Sequence, residues 1–180
     1  MSVGLLIETD SYLLKLMRPG DETQAWKDCL ADPALMAKIN GRPSNRSLLE
    51  LRDYLAVMNA QRKAVIGLYE KNATKHIGVI EMQFDERHKS ISLTHLIFRT
   101  SDNFSTLITE IDPPLVSYFS DRFRIAKFST VVPASYRQLI DALPAVGWTR
   151  EGLLREEFPS TGGHGRIDAV VLGKTQDIDK

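Results

Sequence analysis

Twenty-three lysines and arginines balance 23 aspartates and glutamates across 180 residues, so no overall field draws the chain to nucleic acid or to an anionic membrane. The lone cysteine, Cys29, excludes an internal disulfide and a cysteine-based metal site, and reads as a small helix residue in a reducing compartment. A 43% hydrophobic content suffices for one core, no stretch approaches a membrane span, and the first residues lack the flank and apolar run of a signal peptide, so a single cytoplasmic domain over 1–180 is expected.

Tyr12–Arg18 predicts a first strand, stopped by Pro19-Gly20. Asp21 or Thr23 can cap a helix running through Leu30, and Asp32 can cap another, with Pro33 at its first position and Asn40-Gly41-Arg42-Pro43 ending it. From Ser47 to Gln61, Leu48, Leu51, Leu55 and Met58 recur at helical spacing, leaving Arg52, Asp53 and Asn59 on the wet face. Two strands follow, Ala64–Glu70 and His76–Phe84, joined by the polar turn Lys71-Asn72-Ala73-Thr74. Ser90–Phe98 then alternates polar and apolar residues before turning wholly apolar, as in a strand buried on both faces at its far end. The gap to the next strand, Ile125–Val132, is too long for a hairpin and holds the helix-like Leu115–Phe119 run. It therefore reads as a crossover between two parallel strands. Pro113-Pro114 predict a kink in that helix, or a fresh start capped by Asp112. A helix over Ser135–Leu143, closed at Gly147, and a hairpin from Trp148–Phe158 to Ile167–Leu172 complete the chain. Gly162-Gly163-His164-Gly165 is the hairpin's turn. His76, His88 and His164 show no ligand spacing, so no metal site is expected.

Three segments carry a resemblance: Leu16-Met17-Arg18 closing the first strand, Ile77-Gly78-Val79-Ile80, and Gly147-Trp148-Thr149-Arg150-Glu151-Gly152-Leu153-Leu154-Arg155 followed by Asp168. With the order of elements, over nearly the whole chain, they resemble the GNAT acetyltransferase superfamily, above all its branch of ribosomal-protein and other N-terminal acetyltransferases. The resemblance implies an α+β fold: an α/β/α sandwich whose mixed, mostly antiparallel sheet holds one parallel strand pair flanked by helices. It also implies transfer of an acetyl group from acetyl-coenzyme A to a primary amine, on a small molecule or a protein N-terminus, by direct attack.

On the same ground, pantetheine would lie along Leu96, Ile97 and Phe98, in a cleft that opens towards Thr130–Pro133. Its phosphates would lie near Arg99, Asn103, Phe104, Ser105 and Thr106, with a further contact at Ser135. The family wraps the pyrophosphate with a glycine-bearing loop, whereas Arg99–Thr106 contains no glycine. That departure opens a rival reading, a degenerate scaffold kept for a small ligand, a peptide or pairing with a second copy of the chain. Glu81 and His95 stand on the middle strands, where the family places its general base or the group that orders water for one. Histidine has the right intrinsic pKa for that task. Tyr136 stands where the family often has an asparagine contacting coenzyme A, and a phenol there could hydrogen-bond the cofactor or protonate its leaving thiolate.

Overall fold

Apolar runs rich in valine and isoleucine make strands that must be covered on both faces, and the rest of the chain supplies the covers. The computed structural model describes residues 4–72, 75–98, 104–161, 163 and 165–177, with side chains for all but 59 and 60. Eight strands form one sheet: β1 (Leu6–Glu8), β2 (Tyr12–Leu16), β3 (Lys63–Glu70), β4 (Lys75–Asp85), β5 (Ser90–Ile97), β6 (Lys127–Pro133), β7 (Thr149–Pro159) and β8 (Arg166–Thr175). Their order is β1-β2-β3-β4-β5-β6-β8-β7, and each neighbouring pair is antiparallel except β5 and β6. β1 is the element that sequence reading passed over. Three residues carry too little periodicity to signal a strand, and pairing with β2, Leu6 opposite Lys15, is what orders them.

Three helices cover one face. In α1 (Gln24–Ala31) the Thr23 hydroxyl accepts from the Trp26 N–H at 3.2 Å, and in α2 (Pro33–Lys38) the Asp32 carboxylate accepts from Ala34 N–H at 2.7 Å. In α3 (Leu48–Ala60), Ser47 and Glu50 cap each other's backbone N–H, and Leu51, Leu55 and Met58 are buried. Leu48 is a correction to the predicted stripe: it stands 39% exposed, because the core contact begins one turn later at Leu51. Ser47→Ala is expected to cost about 1 kcal/mol, read from urea melts, since it leaves the Glu50 N–H without its acceptor.

The opposite face is covered by α4 (Phe104–Phe123) and α5 (Arg137–Ala142), the latter running into a 3₁₀ turn over Leu143–Val146 that Gly147 closes at φ 86°. The expectation of a helix restarting at Asp112 is corrected. α4 runs through both prolines, and Asp112 caps nothing. Its carboxylate is buried and accepts from Trp148 Nε1 and Lys174 Nζ, each at 3.0 Å. The prolines remove the donors for the carbonyls of Thr109 and Glu110, yet the buried face of Leu107, Ile108, Ile111, Leu115, Val116 and Phe119 holds the helix to the sheet. The result is an α/β/α sandwich with two apolar cores. The larger, under α4, includes Ile80, Ile91, Leu93 and Ile97; the smaller, under α1–α3, includes Trp26, Leu51, Leu55 and Leu96. No described helix is long and apolar enough to cross a membrane.

Candidate active site

The strand register decides which middle-strand side chains can meet a ligand. Glu81 lies opposite Thr94, and Ile80 opposite His95, in the antiparallel β4–β5 pair. Because side chains alternate, Glu81 and Thr94 share the α1–α3 face, and His95 points with Ile80 into the α4 core. The two candidate bases are therefore on opposite sides of the sheet. His95 is 2% exposed, its Nδ1 has no partner among the described residues, and burial lowers its pKa to about 4. Its imidazole is therefore held uncharged at neutral pH, on the face of the sheet away from the Glu81 side chain.

Glu81 is placed differently. Its Oε1 accepts from the Tyr54 hydroxyl at 2.8 Å, and both residues line a cavity of about 180 Å³ between the sheet and α1–α3. Trp26, Met36 and Leu96 form apolar walls; Arg42 and Arg46 stand exposed on its lining. The Arg46 guanidinium lies 5.2 Å from the centroid of the Tyr54 ring. Burial, reinforced by the neighbouring Glu81 charge, raises the pKa of Tyr54, so its phenol stays a proton-bearing donor. The second oxygen of Glu81 has no hydrogen-bond partner among the described residues. Sequence reading did not single out Tyr54, although its place beside the Leu51–Leu55 stripe put it at the margin of the buried face. Trp26, read as core, is both 1% exposed and part of the cavity wall.

A second opening adjoins the first. β5 and β6 pair only through Ser90–Lys127, Ile91–Phe128 and Ser92–Ser129; beyond that register no pairing joins them, although β5 continues to Ile97 and β6 to Pro133. β6 turns instead to β8, which pairs with it as far as Pro133 and Ala169. On the other side, Gly78 lets β4 approach closely: a Cβ there would come within 3.0 Å of the Leu96 carbonyl oxygen. Leu96 and Ile97 are buried along this gap, and the Phe98 N–H is held by the Ile77 carbonyl. Phe104, in the first turn of α4, packs edge-on to Tyr136 at 6.0 Å, while Ser105 and Thr106 are exposed beside it. Ser135 is exposed in the turn leading to α5. Arg99 and Asn103 lie outside the described residues, with the rest of the glycine-free stretch 99–103.

Two buried polar atoms at this end lack partners. Lys38 Nζ sits 5.6 Å from the centroid of the Tyr136 ring and makes no hydrogen bond among the described residues. The Tyr136 hydroxyl is near the Ile97 main chain but short of a well-formed hydrogen bond. Burial lowers the lysine's pKa and raises the tyrosine's. A buried amine and phenol without partners cost free energy in the empty protein and suit a ligand rich in acceptors. Cys29, close enough to influence both groups, is itself pushed up to about 12 by burial, then by Asp32, and is an inert thiol.

No family model matches the sequence, and no curated protein matches it. Solved structures do match. The spermidine N-acetyltransferase of Vibrio cholerae, in complex with coenzyme A and spermine, shares 19% identity at a TM-score of 0.75, over 92% of this chain and 96% of its own. The ribosomal-protein-S5-alanine acetyltransferase of Vibrio fischeri shares 11% at 0.76, over 96% and 97%. A ribosomal L7/L12 α-N-protein acetyltransferase bound to coenzyme A shares 12% at 0.81, over 97% and 100%. At such identities the likeness speaks to architecture alone, and with the single splayed parallel pair in a three-layer sandwich it is decisive there: this chain has the fold of the GNAT acetyltransferases.

Proposed function

We propose that the chain transfers an acetyl group from acetyl-coenzyme A to a primary amine held in the cavity beside Glu81. The observation that carries this reading is the position of Leu96, which lines the cavity and also belongs to the stretch of β5 that diverges from β6. An extended thioester substrate laid in the gap as an added strand would use main-chain hydrogen bonds that do not depend on side-chain identity. Lys38 Nζ and the Tyr136 hydroxyl, buried at the same end without hydrogen-bond partners among the described residues, would hold its polar groups. Ser135, Ser105 and Thr106 are exposed close by in sequence and fold. Solved proteins of this fold have been captured with coenzyme A, which supports the same substrate here.

The chemistry asked of the residues is modest. An amine reaching the cavity as ammonium first loses a proton, and the free oxygen of Glu81 accepts it directly or through one water. The amine nitrogen then forms a bond to the thioester carbonyl carbon, the carbon–sulfur bond breaks, and the thiolate leaves with the electron pair to take up a proton. The nitrogen sheds its second proton as the amide forms. Tyr54 fixes the Glu81 carboxylate by donating to it, and thereby directs its other oxygen to the ligand. Glu81→Gln keeps the shape and a partner for Tyr54 but loses the base, so thiol release from acetyl-coenzyme A is expected to fall roughly 100-fold with an unchanged melting temperature. Turnover of this variant at the wild-type rate would remove Glu81 from the reaction. Failure of coenzyme A to bind in calorimetry would remove the reaction itself.

A further inference from the structure

The polar groups around the cavity are unequal in sign and in kind. Glu81 is the single carboxylate lining it among the described residues, and one of its oxygens is occupied by Tyr54. Against it stand Arg42 and Arg46; Trp26 lines the cavity too, and its buried Nε1–H has no hydrogen-bond partner among the described residues. Arg42 has no ion-pair partner among them either. Carboxylate and guanidinium are two short steps apart along one side chain: 2.8 Å from Glu81 to the Tyr54 hydroxyl, and 5.2 Å from the Tyr54 ring to Arg46. The lining is otherwise mostly apolar, from Trp26, Leu30, Met36, Ile39 and Leu96, with Ser44 and Thr94.

A ligand that completes this set carries a donor for Glu81 and an acceptor-only group for the arginines, joined by a short apolar link. We infer that the acceptor is a small aminocarboxylate, a primary amine with a carboxylate a few bonds away. The inference rests on the acetyl-transfer reading for its consequence, whereas the binding follows from the cavity. A volume of about 180 Å³ falls below that of sites for drug-sized molecules and suits a chain of a few carbons. A linear polyamine matches poorly: its first ammonium finds Glu81, and the next meets two guanidinium groups with no second carboxylate in the lining, Glu50 lying near Arg46 outside it.

Calorimetry on the full chain without acetyl donor compares 4-aminobutyrate, butylamine, spermidine and an alanyl-aspartate dipeptide. 4-Aminobutyrate is expected to bind at least roughly tenfold more tightly than butylamine or spermidine, and the Arg42→Gln/Arg46→Gln double variant to lose about that factor. Both arginines are exposed, so the variant's melting temperature should match that of the wild type. Equal affinity for butylamine, preference for spermidine, binding of none of the four, or an indifferent double variant each overturns the inference. Tighter binding of the dipeptide replaces the small molecule by an acidic peptide terminus and overturns it as stated. Thiol release with the same amines separates the two readings. An aminocarboxylate that binds but is not acetylated sinks the transfer reading alone, and acetylation confined to spermidine sinks the ligand class alone.

Discussion

Lowering the pH from 6.5 to about 4 is expected to cost the folded chain about 3 kcal/mol at each of two histidines, His76 and His95. Burial depresses both to about 4, so over this interval the unfolded chain binds protons that the folded chain refuses, and stability falls as pH falls. His76 carries a structural consequence as well. Its Nε2 lies 2.9 Å from the Gly78 carbonyl, which can only accept, so Nε2 bears the hydrogen and Nδ1 accepts from the Thr23 hydroxyl at 2.6 Å. Thr23 in turn caps α1, the helix that carries Trp26 into the cavity wall. Two groups of carboxyls act outside this window or against it. Glu22, Glu50, Asp85 and Glu110 are lowered, so their contribution begins to be lost only at the acid end of this window and goes mostly below it. Asp112 is raised, so protonation of the folded state there opposes the histidines at the acid end. Urea melts at pH 8, 6.5, 5 and 4 read the slope, and His95→Leu should roughly halve it, His76 keeping its share, while leaving stability at pH 8 nearly unchanged, since it removes a buried nitrogen with no partner among the described residues. A flat profile in the wild-type chain between pH 6.5 and 4 would refute the assignment.

Asp112→Ala should cost about 3–5 kcal/mol, the range for breaking a buried pair by deleting one partner. The Asp112 and Lys174 side chains are 2% and 11% exposed, and the carboxylate also takes the Trp148 indole N–H. Its loss leaves Lys174 with the Val146 carbonyl at 2.6 Å as its remaining acceptor, and Trp148 Nε1 with none among these contacts. This one carboxylate ties α4 to β8 and to the residue that opens β7, and so fixes the helix whose first turn bears Phe104 against Tyr136. In a cycle with Lys174→Met, the double variant should recover part of the loss, because the uncompensated charge is removed along with its partner. Strictly additive costs, or single losses under about 1 kcal/mol, would show that the pair is not coupled as described.

Strand and helix periodicity, cap residues and the long crossover were legible in the amino-acid sequence, because each is written in residues a few positions apart. Thr23, Asp32 and Gly147 cap or close their elements where their chemistry suggested. The order of elements, with the resemblance to the GNAT superfamily that it helped to carry, implied the α+β sandwich with one parallel pair and the opening between Leu96–Phe98 and Thr130–Pro133. Alternation along β5 likewise set His95 with Ile91, Leu93 and Ile97. Which face of the sheet would hold a cavity was not written there. That depended on α1 and the loop bearing Arg42 and Arg46 folding over β4 and β5, a packing between segments far apart in the sequence. Asp112 shows the same limit. Beside two prolines it reads locally as a cap, and only the arrival of Lys174 and Trp148, from the far end of the chain, makes a buried carboxylate the better outcome. Local chemistry specifies where elements begin, end and turn; whether a polar side chain becomes a cap, a core member or part of a site is decided by partners that tertiary packing alone brings within hydrogen-bonding distance.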